Sequence, residues 1–149
     1  MNLKIAGLDG QAEGVTVVAQ FNPKEVSVDR AVHWNPQADG QSLEYTGAEP
    51  KTMSFELMFD GLESGASVQP HIARLHQLSE VDSTLKRPPK VRVVYGVARA
   101  AGTIPPLDGV IEAVSVRYLM FSENGVPLRA TVSLKIREAG KIKVAIQQP

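Results

Sequence analysis

The sequence predicts a mainly β fold with a single α-helix, built as a small β-barrel or a two-sheet sandwich. Three observations carry that expectation. Across residues 128–137 apolar and polar residues alternate without a miss, Leu128, Ala130, Val132, Leu134 and Ile136 against Arg129, Thr131, Ser133, Lys135 and Arg137. A period of two places each set on its own face of a strand, one toward a core and one toward water. Just upstream, Val114, Val116, Tyr118 and Met120 form a second apolar row, and Ser122-Glu123-Asn124-Gly125 separates the two. Asn and Gly tolerate the positive φ that short hairpin loops need, so the pair reads as one long antiparallel hairpin. The period changes to a helical one only at Val68, Ile72, Leu75 and Leu78, whose spacing draws one apolar stripe along a helix of about four turns.

The remaining elements follow in chain order. Residues 3–8 and 15–21 read as two short strands joined through Asp9-Gly10 and Gly14, with Val15, Val17, Ala19 and Phe21 on a shared face. Asn22-Pro23 breaks the ladder, because proline has no N–H to donate. Val26, Val28, Val32 and Trp34 continue as a strand, although Arg30 interrupts the apolar row. Residues 35–51 lose the pattern, and Pro36, Asp39-Gly40, Gly47 and Pro50 mark a long loop, of the kind that is usually functional. Leu43 and Tyr45 sit inside it and suggest docking onto something. Met53, Phe55, Leu57 and Phe59 define a further strand, with Met58 out of phase. Ser67 is placed to cap the helix and Pro70 falls in its first turn, where a missing N–H costs little. Arg87-Pro88-Pro89 leads into a strand with Val91, Val93 and Tyr95. Residues 96–109 are irregular, and residues 141–146 alternate once more as a possible edge strand. One-sided strands of this kind must close on themselves or pack sheet on sheet.

Composition narrows the class. At 149 residues the chain reads as one domain, 1–149, able to bury roughly 68–70% of the surface of its unfolded form. Sixteen basic residues balance sixteen acidic ones, which argues against a general binder of nucleic acid or of an anionic membrane. With no cysteine, disulfides, thiolate metal sites and a cysteine nucleophile are excluded. The first residues lack a signal-peptide pattern, and no run approaches the ~18 apolar residues of a membrane span, so cytoplasmic synthesis without membrane insertion is expected.

No catalytic constellation emerges. His71 and His76 are five apart on the expected helix, about 140° from one another, unlike the i, i+4 pair of a helical zinc motif. His33 lies beside Trp34 in a strand; half-buried or solvated histidines are the simpler reading of all three. Glu56, Asp60, Glu63 and Glu112 would make an acid/base pair only if folding brought two of them together. Neither Ser64-Gly65 nor Ser122-Glu123 has the glycines of a nucleophile elbow, and Gly7, Gly10 and Gly14 are not spaced for a phosphate loop. The cationic row Arg117, Arg129, Lys135 and Arg137 lacks aromatic neighbours for base stacking, because Tyr118 falls on the opposite face. It reads either as a charged solvent face that discourages aggregation or as a face lining a channel or a partner. No enzyme activity, metal or cofactor is expected.

Several segments taken in order resemble a known family: Phe21-Asn22-Pro23, Trp34, Tyr45-Thr46-Gly47 with Pro50, residues 53–60, Arg87-Pro88-Pro89 with residues 91–96, and residues 114–121 with 127–134. Together they are similar to the contractile injection system tube proteins of phage tail-like particles, over residues 15–138. The resemblance implies a tail-tube type of β fold with a flanking helix. It also implies a homo-oligomeric, six-membered ring around a lumen, placed among other tube, spike and baseplate proteins. Many such relatives carry a LysM-like module; the sequence ends at Pro149 without one, so contacts attributed to that module are not expected. On this reading Arg117, Arg129, Thr131, Ser133 and Lys135 face the lumen, and a loop bearing Trp34, Leu43, Tyr45 and Pro50 reaches a neighbouring subunit. Two other classes compete: a β-barrel holding a small ligand in its interior, and a hydrolase using Glu56 and Glu112.

Overall fold

The computed structural model describes residues 2–97 and 100–145. The strands are β1 (Lys4–Gly7), β2 (Thr16–Val18), β3 (Val26–Asp29), β4 (Val32–Pro36), β5 (Leu43–Ala48), β6 (Thr52–Asp60), β7 (Val91–Val94), β8 (Leu107–Phe121) and β9 (Pro127–Glu138), with one helix, α1 (Gln69–Ser79), between β6 and β7. Seven strands form one antiparallel sheet in the order β2-β1-β7-β8-β9-β6-β3, and β4 and β5 form a separate two-stranded sheet.

The alternating rows explain why this sheet has one dry face. Met53, Phe55, Leu57 and Phe59 of β6 lie opposite Ile136, Leu134, Val132 and Ala130 of β9, and all eight are buried. Ile5, Val17, Val91 and Val93 join the same core from the other half of the sheet. The helix adds Ile72, Leu75 and Leu78, fully buried, with Val68 just before its first turn. It runs 11 residues, about three turns rather than four. Val68 occupies the N-cap position, while the Ser67 hydroxyl accepts a hydrogen bond from the Gln69 N–H at 3.0 Å.

Mainly β with one helix is thus the observed class, but the expected barrel does not close. The two edges of the sheet, β2 and β3, share no ladder. The segment after β2 is tied instead to the end of β6 by one side-chain amide: Gln20 Nε2 donates to the Asp60 carbonyl at 2.8 Å, and the Asp60 N–H donates to Gln20 Oε1 at 2.8 Å. The interior that a ligand-binding barrel would need is occupied by Phe59, Leu57, Ile5 and Ile136.

Three other expectations change. The stretch 35–51 is not a loop but most of a β-hairpin, β4–β5, and Arg30 marks the point where the chain leaves the main sheet for it. Strand β8 begins at Leu107, inside the stretch read as irregular, and a bulge between Ile111 and Ala113 shifts its phase. That extra residue is why the inward row runs Leu107, Gly109, Ile111 and then Val114, Val116. Residues 141–145 form no strand, and Ile146 lies outside the described residues. The turn at the end of the long hairpin is as the sequence suggests, closed by Ser122 N–H to the Val126 carbonyl at 2.9 Å with Gly125 at φ +80°.

Candidate assembly surfaces

The wet face of the sheet assembles itself from the register. On β9, Lys135 lies between Ser54 of β6 and Ala113 of β8; Ser133 between Glu56 and Ser115; Thr131 between Met58 and Arg117; Arg129 between Asp60 and Leu119. Arg117, Arg129, Thr131, Ser133 and Lys135 therefore share one surface, brought together as their spacing suggests. Ser27 of β3 pairs with Ser54 and extends it to a fourth strand. A shallow groove of about 460 Å³ crosses this face, lined by Ser27, Ser54, Glu56, Ser115, Ser133 and Lys135. Reading the hairpin alone misses the β3 and β6 contributions, although the polar residues at 54 and 56 alternate as clearly as the apolar row between them.

The face is not a bare cationic strip. Arg129 donates to Asp60 from both Nε (3.1 Å) and a terminal nitrogen (2.8 Å). Glu112, displaced outward at the bulge, lies 3.8 Å from Lys135 and 3.5 Å from Arg137. The Asp60 carboxyl is held below the usual carboxylate range, first by the Leu62 N–H and then by Arg129. Asp60 and Glu112 sit at opposite ends of β9, so these carboxylates do not converge into an acid/base pair. Hydroxyls and internally paired charges give a surface that stays hydrated while offering little net attraction to a polyanion.

The second surface is the β4–β5 arm. Cross-strand pairing sets Trp34 opposite Tyr45 and Pro36 opposite Leu43, with Val32 two residues before Trp34 on the same side. Trp34 and Tyr45 meet edge to face, ring centroids 5.3 Å apart. Yet they are 54% and 57% exposed, and Leu43 is 60% exposed. Pro50 does not join them. It stands at the root of the arm in a separate cleft of about 1010 Å³, beside Arg30, Arg92, Asp108 and Glu138. At the tip, Asp39 accepts from the Ser42 hydroxyl and from the N–H groups of Ser42 and Gln41, which lowers its pKa to about 2.

The histidines are scattered. His71 stacks on Phe59 with centroids 4.7 Å apart and nearly parallel rings, and burial, then Arg74, pushes its pKa down. His33 is exposed, 3.4 Å from Glu49. Among the described residues no group of three or more His, Asp or Glu side chains is placed to hold a metal ion, and no helix is long and apolar enough to cross a membrane.

A filled interior, a broad hydrated strand face and an unshielded apolar arm define a structural β protein whose working parts are its surfaces. The family comparison agrees: the model of the contractile injection system tube protein matches residues 3–146, and the chain belongs to that family. It is therefore a structural tube component of a phage tail-like particle, made to assemble with other tube components. No curated protein matches the chain.

Proposed function

We propose that this chain forms a ring of the inner tube, or of the tube-to-spike adapter at the baseplate, with six copies around a lumen. The observation that supports the reading is the wet face, continuous across β3, β6, β9 and the part of β8 beyond the bulge at Ile111–Ala113. In a ring this face lines the channel through Arg117, Arg129, Thr131, Ser133 and Lys135. Arg129 and Lys135 are already paired with Asp60 and Glu112, and Thr131 and Ser133 are hydroxylic, so these side chains hold water rather than cargo and a passing molecule slides along a hydrated wall. The arm, with Trp34, Leu43 and Tyr45, and Pro50 at its root, reaches a neighbouring subunit. An isolated two-stranded hairpin is marginal in water, so a partner that covers its apolar side stabilises it.

Electron microscopy of the purified protein, alone and together with the products of its neighbouring genes, tests the proposal. Closed rings or tubes with an open lumen are expected. A protein that stays monomeric in every such mixture would overturn it. Removing residues 38–48 is expected to abolish ring assembly, read by native mass measurement, while the seven-stranded body keeps its fold.

A further inference from the structure

Residues 141–145 carry a strand pattern that the fold leaves unused. Lys141 and Lys143 alternate with Ile142 and Val144, yet the segment joins no ladder, and Val144 is 47% exposed. A period of two sets the cations on one side and the apolar pair on the other. Strand β3, at one end of the sheet order, presents the complement. Its outer edge pairs with no strand. Ser27 and Asp29 lie opposite Ser54 and Thr52 on the wet face, and Glu25 lines the groove beside Ser27, so this side of the edge is acidic. Val26 and Val28 lie opposite Phe55 and Met53 on the dry face, where Val28 is left 46% exposed. Among the described residues Glu25, Asp29, Lys141 and Lys143 take part in no ion pair. The other open edges carry no such charge. Strand β2 is Thr16, Val17 and Val18, and the part of β8 that β7 leaves uncovered beyond the bulge has Arg117 and no carboxylate.

We infer that residues 141–145 of one copy add to the β3 edge of a second copy as an antiparallel strand, with Lys143 opposite Ser27. Lys141 then sits beside Asp29, Lys143 lies between Asp29 and Glu25, and Ile142 and Val144 cover Val28 and Val26. All the pairs already in this sheet are antiparallel. In such strand addition the main-chain hydrogen bonds supply the hold and alternate side chains the choice of partner. An acidic edge repels another of its own kind and favours a basic strand. The segment does not reach the β3 edge of its own chain. From Glu138 at the end of β9, that edge lies beyond β6 and β3, three strand spacings or about 14 Å away. The three residues to Lys141 extend about 11 Å at most. They also set off the other way, since the Ala139 N–H donates to the Asp108 carbonyl at 3.1 Å and Lys90 Nζ to the Gly140 carbonyl at 2.9 Å. The contact is therefore head to tail, and it repeats along a row of copies or closes into a ring. It goes beyond the ring reading by naming a stretch of chain that crosses from one subunit to the next.

The absence of native cysteine makes the pairing directly testable. A Ser27→Cys/Lys143→Cys double variant, concentrated with its neighbouring gene products and mildly oxidised, is expected to give a ladder of multimers that collapses on reduction. Each single variant is expected to stay uncoupled, and a mixture of the two singles to stop at a dimer. Absence of the 27–143 ladder, or a disulfide closed within one chain, overturns the inference whether or not rings are seen. Absence of rings from the untreated wild-type protein overturns the ring reading instead, so the two failures are separate. As a second measure, Lys141→Glu/Lys143→Glu and Glu25→Lys/Asp29→Lys are each expected to cut the assembled fraction at least tenfold with an unchanged melting curve. The four changes combined in one chain restore the charge match and are expected to restore assembly. Assembly unaffected by either pair, or no recovery in the combined variant, would also overturn the pairing.

Discussion

Single carboxylates hold much of the loop structure, and they make the protein sensitive to acid. Asp82 accepts from the N–H groups of Gln11, Thr84 and Leu85, tying the turn after β1 to the segment before β7. Asp9 does the reverse, accepting from the Lys90 N–H at 2.7 Å and from Arg87 at 2.9 Å. The carboxyl of Asp82 is held low by those backbone donors, Gln11 first. At Asp9 the hydrogen bonds from Arg87 and Lys90 outweigh the upward push of burial, and Asp108 is lowered by its two-pronged pair with Arg92. A carboxylate whose folded pKa lies below its unfolded value of about 3.9 stabilises the fold fully above that value, and the gain is lost as pH falls through the folded pKa. His71 acts in the same direction from higher pH: its burial favours the neutral ring, so protonation below the ordinary value of 6.5 opposes folding. Thermal melts should therefore fall first below about pH 6.5, through His71, and more steeply below about pH 4, through the aspartates. His71→Phe should remove the upper step and keep the Phe59 stack. Asp82→Ala orphans three N–H donors and should lower the melting temperature at pH 7 by several degrees, whereas Asp82→Asn should recover part of it.

At the scale of elements, β9 is legible because its alternation is unbroken, β6 because only Met58 departs from its own, and α1 because its stripe is the one run at helical spacing. What escaped reading did so for identifiable reasons. The arm has both faces in water, Pro36, Asp39-Gly40 and Gly47 within it read as turn residues, and a bulge after His33 shifts the register of its two strands. The early start of β8 was hidden by Gly109, a poor strand former that is present for want of space. A Cβ there would run into the Arg137 carbonyl of β9. Gly109→Ala should therefore be costlier than its size suggests, lowering the melting temperature by roughly 2–12 °C for a loss of 1–3 kcal/mol. Phe59→Ala removes a fully buried ring facing Ala130 and stacked on His71, and chemical denaturation should show a loss of about 3–5 kcal/mol. That Arg129, Thr131, Ser133 and Lys135 share one face is legible in the alternation of β9. The strands completing the wet face, and Pro50's separation from the arm, depended on which strands became neighbours, which periodicity does not encode.

For the whole molecule, the body and the surfaces are separable. The core lies between one sheet face and one helix, and the exposed side chains of the wet face and the arm contribute little to it. Thr131→Leu/Ser133→Leu should thus melt like the wild type and assemble, yet retard transit through the finished tube, seen as retained cargo in purified particles. One detail ties the parts together. Both legs of the arm converge on Glu138 at the end of β9: Arg30 and the Lys51 N–H each approach its Oε1 at 3.3 Å, and the Glu138 N–H donates to the Lys51 carbonyl at 2.8 Å. A tug on the arm therefore enters β6 and β9 along their lengths, and their nine paired rungs share the force at once instead of parting in succession. Such a joint resists shear, the load that a tube component meets when its neighbours slide past it.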